Sequence, residues 1–187
     1  MTTVLVLVEP EEGRLGLVSR QALTLARKLG SQVHALVLGR LTDGIAGDAR
    51  DFGAEAIHET TDDELRRYAA AAWAGALERC AQTIDAGAIV AGGTPRGTEV
   101  LAHVAARGGL PMAANVVDVV STEPLEVERQ VAGGAVLEQM RLEASPAVLT
   151  VAGHAIEAEP ASSPGAAQHR PFTAGIAMQD LSLRLNL

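Results

Sequence analysis

Gly92-Gly93-Thr94-Pro95-Arg96-Gly97-Thr98 is the stretch of this sequence with the means to meet an anion. It follows a short apolar run and opens a helical pattern, and backbone N–H groups at a helix N-terminus attract negative charge. The Gly92-to-Gly97 spacing resembles the opening of a P-loop, but position 98 is Thr where that motif carries Lys. Hydrolysis of a nucleoside triphosphate is therefore not expected here. Two readings remain open. Either the glycines make a tight turn and Thr94 caps the helix, or Gly92, Thr94, Arg96, Gly97 and Thr98 contact a nucleotide such as AMP, with Arg96 supplying the charge.

The other reactive side chains do not assemble into a set. His34, His58, His103, His154 and His169 show no metal-ligand spacing. Ser19, Ser121 and Ser145 lack the G-x-S-x-G elbow that exposes a nucleophile. Cys80 is the sole cysteine, which rules out an intrachain disulfide and reads as a buried thiol. Glu9, Glu11 and Glu12 cluster after the first apolar run, where a solvated turn is expected. No catalytic residue and no metal site are assigned, and no catalysis is expected of this chain alone.

The elements that must position the glycine turn follow a β-α-β-α pattern. Val4 to Val8 is an unbroken apolar run, as in strands covered on both faces. A helix follows over residues 17–29, closed by Gly30, then a strand over 33–38, a weaker helix over 43–52 and a short strand over 54–58. The clearest helix spans 63–84, with Leu65, Trp73, Ala76, Leu77 and Cys80 on one stripe and Asp62 or Asp63 as its cap. A strand over 88–91, the glycine turn and a helix over 96–107 complete this part. Beyond Pro111 come four strands (116–120, 125–131, 136–142 and 147–152) without intervening helices, and Gly133-Gly134 marks a hairpin. The expected fold is α/β: a doubly wound, mostly parallel sheet with helices on both faces and an antiparallel hairpin extension near the C-terminal end. Residues 1–157 form the α/β domain. Residues 158–187, rich in Pro, Ala and Ser at the start, are a linker or docking arm, and the alternating end from Met178 to Leu187 is a last strand or a docking segment.

The totals narrow the partners. A chain of 187 residues supports one sizeable core. Net charge −8 repels phosphate backbones, and 2% aromatic residues leave no platforms for base stacking, so no nucleic acid is expected. No apolar run reaches the ~20 residues of a membrane span, so no membrane insertion is expected. With no leader pattern before Val4, the expected compartment is the cytoplasm.

Several stretches taken together resemble the N-terminal domain of the electron-transfer flavoprotein alpha subunit. They are Val4 to Glu9; Ala26-Arg27-Lys28-Leu29-Gly30; His34 to Gly39; Thr94-Pro95-Arg96-Gly97-Thr98-Glu99-Val100-Leu101; Val131-Ala132-Gly133-Gly134-Ala135; and Pro146 to Val151. Their order covers residues 2 to about 157. The sequence departs from the family pattern at Thr98, at Ala102-His103 and at Gly134. The resemblance implies a scaffold that packs against a beta-type subunit and supports an FAD domain in electron transfer, and the edges presented by the extra strands make a homodimer the other partner expected. In that family a following domain holds most of the FAD. Its glycine-rich and serine-containing motifs do not occur in this sequence, so FAD belongs to the assembled complex and none is expected on this chain alone. The alternative is a stand-alone adenine-nucleotide-binding module of the same superfold.

Overall fold

The computed structural model describes residues 2–181. In chain order the elements are β1 (Thr3–Val8), β2 (Pro10–Glu11), β3 (Arg14–Leu15), α1 (Leu17–Leu29), β4 (Gln32–Val37), α2 (Asp43–Asp51) and β5 (Ala56–Thr60). There follow α3 (Ala70–Thr83), β6 (Ala86–Gly92), α4 (Pro95–Gly108), β7 (Met112–Thr122), β8 (Leu125–Val131), β9 (Val136–Arg141), β10 (Ala147–Val151) and β11 (Gln168–Phe172). Nine strands form one sheet in the order β11-β5-β4-β1-β6-β10-β7-β8-β9, while β2 and β3 make a small hairpin of their own. From β11 to β7 the neighbours run parallel, and β7-β8-β9 are antiparallel.

The apolar run of β1 is unbroken because each face of the sheet is covered. Val4, Val6 and Val8 pack on the α1–α2 side with Leu23, Ala26 and Ile45, whereas Leu5 and Leu7 pack on the α3–α4 side with Leu77 and Leu101. Burying a side chain of this size contributes roughly 1.5–3 kcal/mol. Aliphatic and alanine side chains let the helices lie close on the sheet, as the low aromatic content demands.

Besides the small β2–β3 hairpin, where only a solvated turn was expected, three elements differ from the sequence expectation. The helix expected over 63–84 is a 3-10 turn at Asp63–Arg66, a break, and then α3. The indole N–H of Trp73 donates to the carbonyls of Leu65, at 3.0 Å, and Arg67, at 3.2 Å, which anchors the broken segment against α3. Asp62 does not cap it. Its carboxylate accepts from the Thr60 hydroxyl and the Ala174 amide. Next, β10 does not extend the antiparallel part: it lies between β6 and β7, parallel to both, with all five residues buried. Finally, Gln168–Phe172 forms β11 along β5, a strand with no forerunner in the sequence reading.

Residues beyond 151 run over the domain surface. The buried side chains of Gln21 and Thr24 on α1 bond the backbone at Ile156 and Glu159, and the amides of Ala161, Gly165 and Ala167 donate to the carbonyls of Asp51, Arg50 and Ala54. A 3-10 turn at Met178–Leu181 rests on α3, tied by Asp180 to Arg107 at 3.1 Å. The remainder of the alternating C-terminal segment, 182–187, lies outside the described residues.

Candidate functional site

From β1 the chain first winds outward through β4 and β5, then returns through α3 to place β6 on the other side of β1. The carboxyl ends of β1 and β6 therefore flank the switch point, where doubly wound sheets form their crevice. The end of β1 supplies Glu9. The end of β6 supplies the turn Gly92–Thr94, and α4 begins at Pro95.

Of the five residues singled out in the sequence, Gly92 and Thr94 fall in this turn, and Arg96, Gly97 and Thr98 fall in the first turn of α4. The Thr94 hydroxyl accepts from the Gly97 amide at 2.9 Å and donates to Oε1 of Glu9, so one side chain caps α4 and ties it to β1. Pro95 occupies the first helical turn, where a missing N–H costs nothing. The Thr98 amide continues into the helix by donating to the Thr94 carbonyl at 2.9 Å. Each glycine is needed for close approach. A Cβ on Gly97 would lie 2.2 Å from the Gly92 carbonyl oxygen, one on Gly92 would lie 2.7 Å from Val18 Cγ1, and one on Gly93 would lie 2.5 Å from the Val151 carbonyl oxygen. Protein atoms thus fill the space beside these glycines.

The rim of the crevice comes from residues without a local sequence signal. Tyr68, in the break before α3, donates its hydroxyl to Oε2 of Glu99 on α4, and its ring lies edge-on to Trp73. Burial, followed by the bond to Glu99, pushes the Tyr68 phenol well above its usual range. The Arg96 guanidinium stacks over the Tyr68 ring, 5.2 Å from its centroid. Asn115 adopts a left-handed backbone (φ 59°) at the register shift between β7 and β10, and its amide donates to Thr150 Oγ1 at 3.0 Å. Glu11 and Glu12 are exposed on the β2–β3 hairpin, so of the three early glutamates only Glu9 joins the crevice.

This chemistry suits an internal junction. A carboxylate already takes the hydroxyl that caps α4, next to the helix N-terminus where a pyrophosphate would sit. A phosphate at this helix N-terminus would lie beside that carboxylate, and adjacent anions repel.

A second cluster lies on β4 and β5. His34 Nδ1 and His58 Nε2 are 3.1 Å apart, and both rings are buried on adjacent strands. Among the described residues no group of three or more His, Cys, Asp or Glu could hold a metal. No helix of the described residues is long and apolar enough to cross a membrane.

Residues 4–174 match the electron transfer flavoprotein domain family. The chain belongs to that family. Its curated relatives include the electron transfer flavoprotein subunit alpha of Mycobacterium tuberculosis strain H37Rv, 36% identical over 173 residues, which covers 88% of this chain and 52% of the relative. The Mycobacterium leprae subunit alpha is 32% identical over 171 residues, covering 88% and 52%. That of Syntrophomonas wolfei is 22% identical over 147 residues, covering 78% and 46%. The chain spans about half the length of these curated relatives. It is an electron transfer flavoprotein alpha-subunit-like domain, and the sheet, the crossover at the switch point and the hairpin extension are the form that domain takes here.

Proposed function

We propose that this domain is the scaffold half of an electron transfer flavoprotein alpha-type subunit. In this reading it packs against a beta-type subunit, or against a second copy of itself, and supports an FAD-bearing domain supplied by other residues. The carrying observation is the family match over 4–174 joined to coverage of only half of each relative. The antiparallel extension favours a docking role. Val120, Val136 and Leu137 on it are 50%, 52% and 55% exposed, and β9 leaves one edge of the sheet open. By contrast the far edge, β11, carries Pro171, which cannot donate to a further strand.

The Gly92–Thr98 segment serves in this reading to lock β1, β6 and α4 together. The adenine-nucleotide alternative is disfavoured by the Glu9 carboxylate at the helix N-terminus. The decisive experiment is analytical ultracentrifugation of the purified chain alone and mixed with a beta-type subunit. A one-to-one complex or a dimer of this chain supports the proposal. A clean monomer that ignores the beta-type subunit overturns it.

A further inference from the structure

The strand β11 is a lightly secured edge of the sheet. It has a single neighbour, β5, and four of its five residues are exposed. Its register places Arg170 opposite His58 and Phe172 opposite Thr60, so both side chains share the sheet face on which His58 lies. Beneath them are the two buried imidazoles. His58 meets His34 with ring centroids 5.2 Å apart and meets Phe172 edge-on at 6.3 Å. With only a proton to share between Nδ1 of His34 and Nε2 of His58, the pair is satisfied when both rings are neutral: one donates and the other accepts.

We propose that the His34–His58 pair is an acid-sensitive latch that holds β11 and the segment after it on the edge of the sheet. A proton taken up from solvent by this pair places charge in a buried pocket below a fixed cation. The charges that reach the pair are Arg170 on β11, which opposes the added proton at both rings, and Glu55 just before β5, which favours it at His34. Burial and Arg170 outweigh Glu55, and His58 is held down to about 4, chiefly by burial. Detaching β11 removes Arg170 and Phe172 and opens the pair to water, whereas detaching β4 or β5 would expose the core on both faces. The edge strand is the cheaper element to lose. The other ties of this segment, from Glu59 to His169, from Thr61 to Thr173 and from Asp62 to the Ala174 amide, lie along the same β5 edge and part with it.

The test is hydrogen exchange with mass spectrometry on the full chain between pH 7 and pH 4, with each rate normalised to the intrinsic rate at that pH. Expected is a loss of protection of at least tenfold in peptides spanning 168–174 below about pH 5, while β1 and β6 peptides stay protected. In His58→Gln, whose amide can bond His34 but takes no proton, the loss should move at least one pH unit lower. His34→Gln, which removes the pair's other titrating ring and leaves an amide to bond His58, provides the same comparison if His58→Gln misfolds by circular dichroism. Loss of arm and core protection together in the wild type, or an unchanged midpoint in a folded variant, overturns the latch.

Discussion

The Thr94 hydroxyl holds Gly97 and Glu9 at once, so the start of α4 and the end of β1 share one oxygen. Replacing it by Val keeps the bulk and removes both bonds. Loss of a Thr cap costs about 1–2 kcal/mol, and the freed Glu9 carboxylate adds a polar group without its partner. Urea denaturation should show Thr94→Val destabilised by about 2 kcal/mol, with Thr94→Ser recovering most of the loss. Equal stability of Val and Ser variants would mean the hydroxyl bonds are not made in solution.

Two glycines should respond oppositely to alanine. At Gly97 the new Cβ would press on the Gly92 carbonyl 2.2 Å away, so backbone must shift, and about 2–4 kcal/mol should be lost. At Gly47, inside α2, nothing lies within 4 Å of the added methyl. Gly47→Ala should gain about 0.5–1 kcal/mol by restricting the unfolded chain. Chemical denaturation of both variants checks the pair.

Trp73 is the sole tryptophan, so its fluorescence reports on the break before α3. Trp73→Phe keeps one aromatic ring of the indole and strips the N–H from the Leu65 and Arg67 carbonyls. A loss of about 1–3 kcal/mol is expected from the unpaired carbonyls. Faster exchange should be confined to residues 63–69. Uniform loosening throughout the domain would contradict a local anchoring role.

Cys80 is 1% exposed, and burial pushes its thiol up to about 12. Thiolate is the reactive form, so an aromatic disulfide reagent at pH 8 should leave the native protein unmodified for hours. One equivalent should react promptly in denaturant. Rapid labelling of the native protein would show that the α3 face opens far more often than its packing implies.

Mixed with excess FAD and passed over a sizing column, the chain alone should elute without the flavin absorbance band. Its aromatics are Phe52, Tyr68, Trp73 and Phe172, of which Phe52 and Trp73 are buried in the core. Calorimetry with millimolar AMP should likewise give no saturable heat, since Glu9 stands at the α4 N-terminus. Stoichiometric retention of either ligand would overturn the reading of the Gly92–Thr98 turn as an internal junction.

The parallel sheet, its helices and the hairpin extension were legible because their signals are local: apolar runs, helical spacing and glycine turns. The misread parts depend on distant partners. Leu65 and Trp73 are spaced as on one helix, and the spacing cannot distinguish a continuous helix from a 3-10 turn folded back on α3 by an indole bond. Gln168 to Phe172 includes a proline and lacks alternation, and it becomes a strand because β5 offers it an open edge. The inward turn of Glu9 depends on a hydroxyl 85 residues away, and nothing near Glu9 announces it. One further signal is local. Ala147–Val151 is apolar apart from Thr150 and shows no alternation, the mark of a strand covered on both faces, which places β10 among the parallel strands.

The position of β10 also governs the order in which the molecule can be completed during synthesis. Everything from β1 to β9 leaves the ribosome before Ala147, yet the strand that joins β6 to β7 is still to come. Until then the nascent chain carries two half-sheets with open parallel edges facing an empty slot, tethered by α4. Such edges are adhesive toward other chains. A chain ending at residue 146 and one ending at residue 151 differ by only five residues, but the first has an interrupted sheet and the second a continuous one.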